Sequence, residues 1–228
     1  GLGAGDPAFA VAVHLDRARL RRRLAVGGEL SEADLAAAVD NDYRLALFKD
    51  RRCRPALRHV YARARTGHDL AQEADAATAL ADATPDDART AAVMLTRAAE
   101  ALVELDRTDD ARARYEAAIE RLPSHVPALV GLTDFALGRQ DWTRAVHSAE
   151  RAGQALRDHA QKAHFLVVAG TIAQDRLADP EEKLNHAQSL FRQALAAEPR
   201  SAEAFSRLEP SLHDARDFAA LAELRSEE

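Results

Sequence analysis

Along most of the chain, apolar residues recur three and four apart, the spacing of one face of an α-helix. Asp6-Pro7 places a capping residue before a proline at a first helical position. Phe9, Val13, Leu20 and Leu24 follow at helical intervals up to Gly27-Gly28. Ser31 with Asp34 resembles a capping box, and Leu35, Val39, Tyr43 and Leu47 predict a helix over 31–48. A pair follows at about 54–66 and 69–82, with Gly67 between them. Leu57, Val60, Tyr61 and Ala64 form one core face of that pair; Leu70, Ala74, Ala77 and Leu80 form the other. Thr84-Pro85-Asp86-Asp87 reads as cap, proline and two first-turn acids, opening a helix to about Leu105. Its partner covers about Asp109–Leu122. Ser124 is the expected cap of a helix ending at Gly138, and Asp141 opens the next. Residues 160–177 predict a long helix with Phe165, Val168 and Ile172 along one face, and Asp179-Pro180 starts its partner. Ser201 begins a last pair carrying Phe205, Leu208, Leu212, Phe218 and Leu221. No segment reads as a strand, and the short links make consecutive helices antiparallel neighbours.

Three of these hairpins end alike, at Pro85, Pro123 and Pro199, separated by 38 residues and then by 76, twice that. A helix that stops near a proline at a fixed period marks a helical repeat array. Within one period Tyr115 lies between Ala111 and Ala118, and Leu95, Ala98, Ala99 and Leu102 precede them. The next unit has Leu129, Leu132, Thr133 and Ala136, then Asp141-Trp142-Thr143-Arg144-Ala145, Ala149 and Ala152. A third has Phe165, Val168, Ala169 and Ile172, then Ala187, Phe191, Ala194 and Pro199.

Over residues 92–199 this resembles the tetratricopeptide (TPR) repeat, in which small residues sit where two helices cross and an aromatic fills the space between them. The resemblance implies an all-α, right-handed superhelix of antiparallel helix-turn-helix repeats, about twelve helices in all. Residues 1–53 would be a divergent helix pair, 54–85 a degenerate repeat, 86–199 three TPR-like repeats and 200–228 a partial one. The chain departs from the pattern at Glu73, where a small residue is expected, and near Leu177–Glu182, where about six residues are inserted. Pro210 falls inside what should be a first helix and is expected to kink or stop it.

Composition agrees with helix: Ala and Leu dominate the apolar residues, and aromatics are only 5%. The net charge of −6 is unevenly spread. Residues 1–68 hold 13 basic and 8 acidic side chains, the remainder 18 and 29. The densest basic run is Arg17, Arg19, Arg21, Arg22 and Arg23. It reads either as an anion-binding end or as a solvated helix face near a helix C-terminus. A single cysteine, Cys53, excludes an intramolecular disulfide and a cysteine metal site. No apolar run is long enough to span a bilayer. The chain starts at Gly1, which reads as the start of a processed or excised fragment, and a cytoplasmic location is expected.

Chemistry-bearing motifs are absent from the sequence. The nine histidines show no metal-ligand spacing, and no Gly-x-Ser-x-Gly nucleophile turn occurs. Gly-Leu-Gly-Ala-Gly at 1–5 has no strand before it and no Lys-Ser/Thr after it, so it is no phosphate loop. Acid pairs such as Asp86-Asp87 and Asp109-Asp110 sit in first turns, where the helix dipole accounts for them. Cys53 among Arg51, Arg52 and Arg54 has the setting of a reactive thiol, but no positioned histidine. No enzyme, cofactor or metal is expected.

What remains is the concave surface, which in TPR proteins the first helices line. The resemblance places Arg97, Glu100 and Val103 there from one unit, Val130, Asp134 and Leu137 from the next, and Leu166, Val167 and Gly170 from the third. The chaperone-binding members grip a terminal carboxylate with Lys and Asn at two of these places. Here Thr96 and Glu100, Val130 and Asp134, and Leu166 and Gly170 stand there, so that clamp is missing. The groove is expected to take an extended peptide or a helix of a protein partner. Self-association through repeat ends is a further expectation. The alternative is a regulatory domain of a larger bacterial protein whose basic N-terminal end meets nucleic acid or another anion.

Overall fold

A computed structural model of the chain describes residues 6–24, 31–214 and 217–226, with residues 24, 180–182, 214 and 223–226 described as backbone alone. The expected break at Gly27-Gly28 and the glycines of 1–5 lie outside the described residues, as does the Leu24 side chain. Twelve helices and no strand are present among the described residues. They fall into two compact units, Gly1–Arg121 and Leu122–Glu228.

The first unit contains α1 (Pro7–Leu24), α2 (Glu32–Lys49), α3 (Arg54–Thr66), α4 (Leu70–Asp82), α5 (Ala88–Glu104) and α6 (Thr108–Arg121). The Ser31 hydroxyl accepts from the Asp34 amide and donates to its carboxylate, closing the box that starts α2. Ala18, Val39, Tyr43, Ala46, Cys53 and Ala56 form the core between the first helices. The face of α1 differs from the expectation. Phe9, Val13 and Leu20 are 43%, 39% and 54% exposed, and the inward side carries Val11, Leu15 and Ala18 instead. Asp42 of α2 gives the physical reason. It is fully buried, and a buried carboxylate is tolerable only when paired, so α1 turns Arg21 and Arg17 toward it, at 2.7 and 3.4 Å.

In the repeat over 54–85 the crossing alanines lie one residue later than the pattern places them. Ala74 and Ala81 are buried with the same seven-residue separation as Ala111 and Ala118. Ala74 is therefore the crossing residue of α4, and Glu73 beside it is free to face Arg65 at 3.5 Å. A further repeat signal lies in the backbone. His68, Asp106 and Gln140 adopt φ of 54°, 58° and 57° at the turns following α3, α5 and the first helix of the second unit. After each, the next amide donates to a carbonyl five residues back: Asp69 to Ala64, Arg107 to Leu102, Asp141 to Ala136. Each is a helix stop with one left-handed residue, and in none is that residue glycine.

Pro85 does not begin a helix as expected, since α5 starts at Ala88. The Thr84 hydroxyl donates to the Leu80 carbonyl and finishes α4, and Asp87 caps α5 by accepting from the Thr90 amide. Likewise His125 rather than Ser124 stands at the cap position of the next helix, and Pro127 sits in its first turn. A carboxylate three residues nearer the helix is simply the better-placed acceptor for the orphan amides of α5.

The second unit contains α7 (Val126–Gly138), α8 (Trp142–Ala155), α9 (His159–Arg176), α10 (Pro180–Ala197), α11 (Ala202–Asp214) and α12 (Phe218–Ser226). Its core is built on Leu129, Val146, Leu166, Val167, Leu190, Phe191, Leu208 and Leu212, none more than 2% exposed. Ala145, Ala149, Ala152, Ala187 and Ala194 are fully buried at the crossings. One crossing is tight at Gly170, where an added Cβ would meet the Phe191 ring at 2.6 Å. Pro210 neither stops nor breaks α11, which runs on to Asp214. The backbone donor it removes would have served the Ser206 carbonyl, and Ser206 is exposed, so water can replace it.

Candidate functional site

On α5 the three expected face residues are accessible in different degrees. Val103 is 49% exposed, Arg97 is exposed and Glu100 half-buried. The Arg97 guanidinium donates to the Glu100 carboxylate at 2.7 Å, which raises the guanidinium pKa. Tyr61 and Glu73 add to that effect, so the polar side chains of α3, α4 and α5 share one field. Arg65 lies over the Tyr61 ring at 5.8 Å, and burial pushes the Tyr61 hydroxyl above its ordinary pKa.

On α7, Val130 and Leu137 are half-buried, Leu137 leaning on the core of its unit, and Asp134 is exposed between them. Positions 130, 134 and 137 share one helical face. Loss of surrounding water raises the Asp134 pKa.

The third set lies elsewhere. Leu166 and Val167 are 0% and 1% exposed, and Gly170 is buried against Phe191. The reason is register. The buried positions of α9 repeat those of α5 when Leu166 is matched to Leu95, Gly170 to Ala99 and Ala173 to Leu102. That is one residue later than counting from Phe165. The accessible part of α9 then carries Val168, Thr171 and Gln174, which sequence reasoning missed. The signal was present: Gly170 is the smallest residue of the helix and marks the crossing.

Of the basic run of α1 only Arg21 is half-buried; Arg17, Arg19, Arg22 and Arg23 stay exposed, though three of the five arginines reach partners on other helices. Arg17 and Arg21 face Asp42, and Arg21 also donates to the Ala38 carbonyl at 2.8 Å. Arg22 reaches His59 of α3, its Nη2 lying 2.6 Å from Nδ1. The other ring nitrogen, Nε2, is 2.6 Å from the Asp40 carboxylate, which also binds Arg63. Tyr43 stacks on the imidazole with centroids 4.2 Å apart. Burial, and next the charge of Arg22, lower the His59 pKa. Of the run, Arg19 pairs with Asp16 on the surface. Cys53 is 5% exposed at the start of α3. Among the described residues, no group of three or more His, Cys, Asp and Glu is placed to hold a metal ion. No helix among them is long and apolar enough to cross a membrane.

No protein-family model matches the chain, and no curated protein matches it. Solved structures similar to it include a crystal structure of MamA, 13% identical, with a TM-score of 0.47 over 76% of this chain and 88% of that one. A MamA double mutant (MamA RS-1 ArsTM) is 16% identical, with a TM-score of 0.45 over 76% and 91%. A thermophilic TPR protein of Thermus thermophilus, TTC0263, is 17% identical, with a TM-score of 0.37 over 87% and 98%. In this chain itself, buried alanines recurring along the second helices, with Tyr115 and Phe191 between them in two hairpins, and recurring left-handed turns make the fold a TPR-like helical repeat.

Proposed function

We propose that this chain is a non-catalytic protein-binding scaffold, and that each unit offers its first-helix face to a peptide or helix of a partner. In the first unit the contact side chains would be Arg97, Glu100 and Val103; in the second, Val130, Asp134 and Leu137, joined by Val168 and Thr171. The observation that supports this reading is where apolar surface is left over. The alanines of the second helices are consumed at crossings, whereas Val103, Val130 and Leu137 on first helices keep part of their surface in water. Apolar side chains beside charged ones at helical spacing suit an amphipathic segment. An affinity near micromolar, about −8 kcal/mol, is ordinary for such a surface. An anion-binding N-terminal end is less favoured, since Arg17, Arg21 and Arg22 are already engaged with Asp42 and His59.

The test is selection of binding peptides from a displayed random library, followed by titration against variants. Val103→Asp or Val130→Asp should weaken binding roughly tenfold or more, about 1.4 kcal/mol, with unchanged circular dichroism. Binding that ignores both, falls steeply with salt and is lost in Arg19→Ala or Arg23→Ala would overturn the proposal in favour of an anionic partner.

A further inference from the structure

The interior of the first unit holds a titratable side chain that neither packing nor the proposed binding faces require. His59 sits on α3 with Arg22 of α1 and Asp40 and Tyr43 of α2 against its ring, and Arg63 of its own helix on the Asp40 carboxylate. The two contacts of the ring fix its protonation. Nε2 lies 2.6 Å from a carboxylate oxygen, an acceptor, so Nε2 carries the hydrogen and donates it. Nδ1 lies 2.6 Å from a guanidinium nitrogen, which has only hydrogens to offer, so Nδ1 must present its lone pair. The observed geometry therefore exists only for neutral imidazole. A second proton would go to Nδ1, the one basic site left, and would place N–H against N–H and cation against cation. Asp40 would hold the protonated ring more firmly, so the partner expelled would be Arg22.

We propose that His59 is a pH-operated latch for the C-terminal turn of α1: neutral, it accepts Arg22 and holds that turn against α3; protonated, it drives Arg22 away. Arg22 also lies over the Tyr43 ring at 5.3 Å, so its departure uncovers the aromatic side of the Tyr43–His59 stack. Arg17 and Arg21 stay on Asp42, a carboxylate separate from the one that binds the ring, so α1 loosens at its end and remains attached. The latch opens on acidification, in the range where histidine exchanges protons.

Amide hydrogen exchange of the full chain between pH 7.5 and pH 5, corrected for intrinsic rates, tests this together with nitrogen chemical shifts of the His59 ring. The wild type should show an Nε2–H tautomer at the upper pH and lose protection at residues 20–23 as the ring titrates. The loss should be up to roughly tenfold for each pH unit by which the ring's pKa lies under that of free imidazole. His59→Gln keeps an acceptor for Arg22 and a donor for Asp40 without a titrating proton, so its protection should not change with pH. Arg22→Ala gives an independent reading if that variant folds poorly: the His59 pKa should rise, and the end of α1 should exchange fast at both pH values. Parallel loss of protection in wild type and His59→Gln would overturn the latch. So would a His59 pKa that Arg22→Ala leaves unmoved.

Discussion

Replacing Gly170 by alanine isolates the helix crossing as a physical quantity. In a helix the substitution alone is worth about 1 kcal/mol in favour of alanine. Here the new Cβ would lie 2.6 Å from Cε1, 2.9 Å from Cδ1 and 3.1 Å from Cζ of Phe191. Carbon atoms prefer about 3.5–4.0 Å, so the overlap approaches 1 Å. Phe191 is fully buried on α10 and has no exit to solvent. Overpacking a core in this way costs about 1–3 kcal/mol. The expected net effect is destabilisation of roughly 1 kcal/mol, a fall in Tm of about 2–4 °C for a protein of this size. Trp142, the one tryptophan, packs against the same core, so its fluorescence in a urea titration reports on the second unit. Phe191→Leu should be destabilising alone yet should relieve the overlap in the double variant. A coupling energy of about 0.5–3 kcal/mol between the two sites is expected. A Gly170→Ala protein more stable than its parent would refute the close crossing.

Other perturbations follow from the same packing. Ala111→Leu, at a position 1% exposed, should cost about 1–3 kcal/mol by thermal melting. Leu166→Asp buries a charge in the second core and should cost about 4 kcal/mol or more, seen as loss of the Trp142 transition, because Leu166 is core and not a binding face. Asp42→Ala leaves Arg17 and Arg21 without their carboxylate; both are partly exposed, so the cost in urea unfolding should be about 2 kcal/mol, below the roughly 3–5 of a fully buried pair. The folded state lowers the His59 pKa, so its contribution to stability is complete above the ordinary histidine pKa of 6.5 and is lost as pH falls through the folded value. Wild type should therefore lose stability relative to His59→Gln from pH 7 to pH 5, and a constant difference would contradict this sign.

Helix existence was legible because periodicity is a local property: α2, α3, α4 and α6 lie within a residue or two of where spacing and caps put them. Register was less so. In α4 and α9 the repeat pattern slips by one residue. A count of positions cannot choose between 73 and 74 as the crossing point of α4, and only tertiary contact distinguishes Leu166 from Phe165. The inward face of α1 escapes the periodicity for a different reason. Hydrophobic spacing assumes that apolar side chains claim the core, whereas the buried Asp42 displaces Phe9 and Leu20 from it by demanding arginines. The His59 cluster depends on three helices meeting, which no linear spacing reveals. Of the expected face residues, those on α5 and α7 retain accessible surface, and those on α9 do not, through the same one-residue slip.

His68, Asp106 and Gln140 carry side chains in a conformation that costs an ordinary residue about 1 kcal/mol or more. Glycine would adopt it freely. Each hairpin thus leaves some stability unused, and all three do so at the same point of the repeat. A version of the chain with glycine at those corners should melt higher with no new contact anywhere, so natural sequence here has settled short of the sturdiest array its own backbone permits.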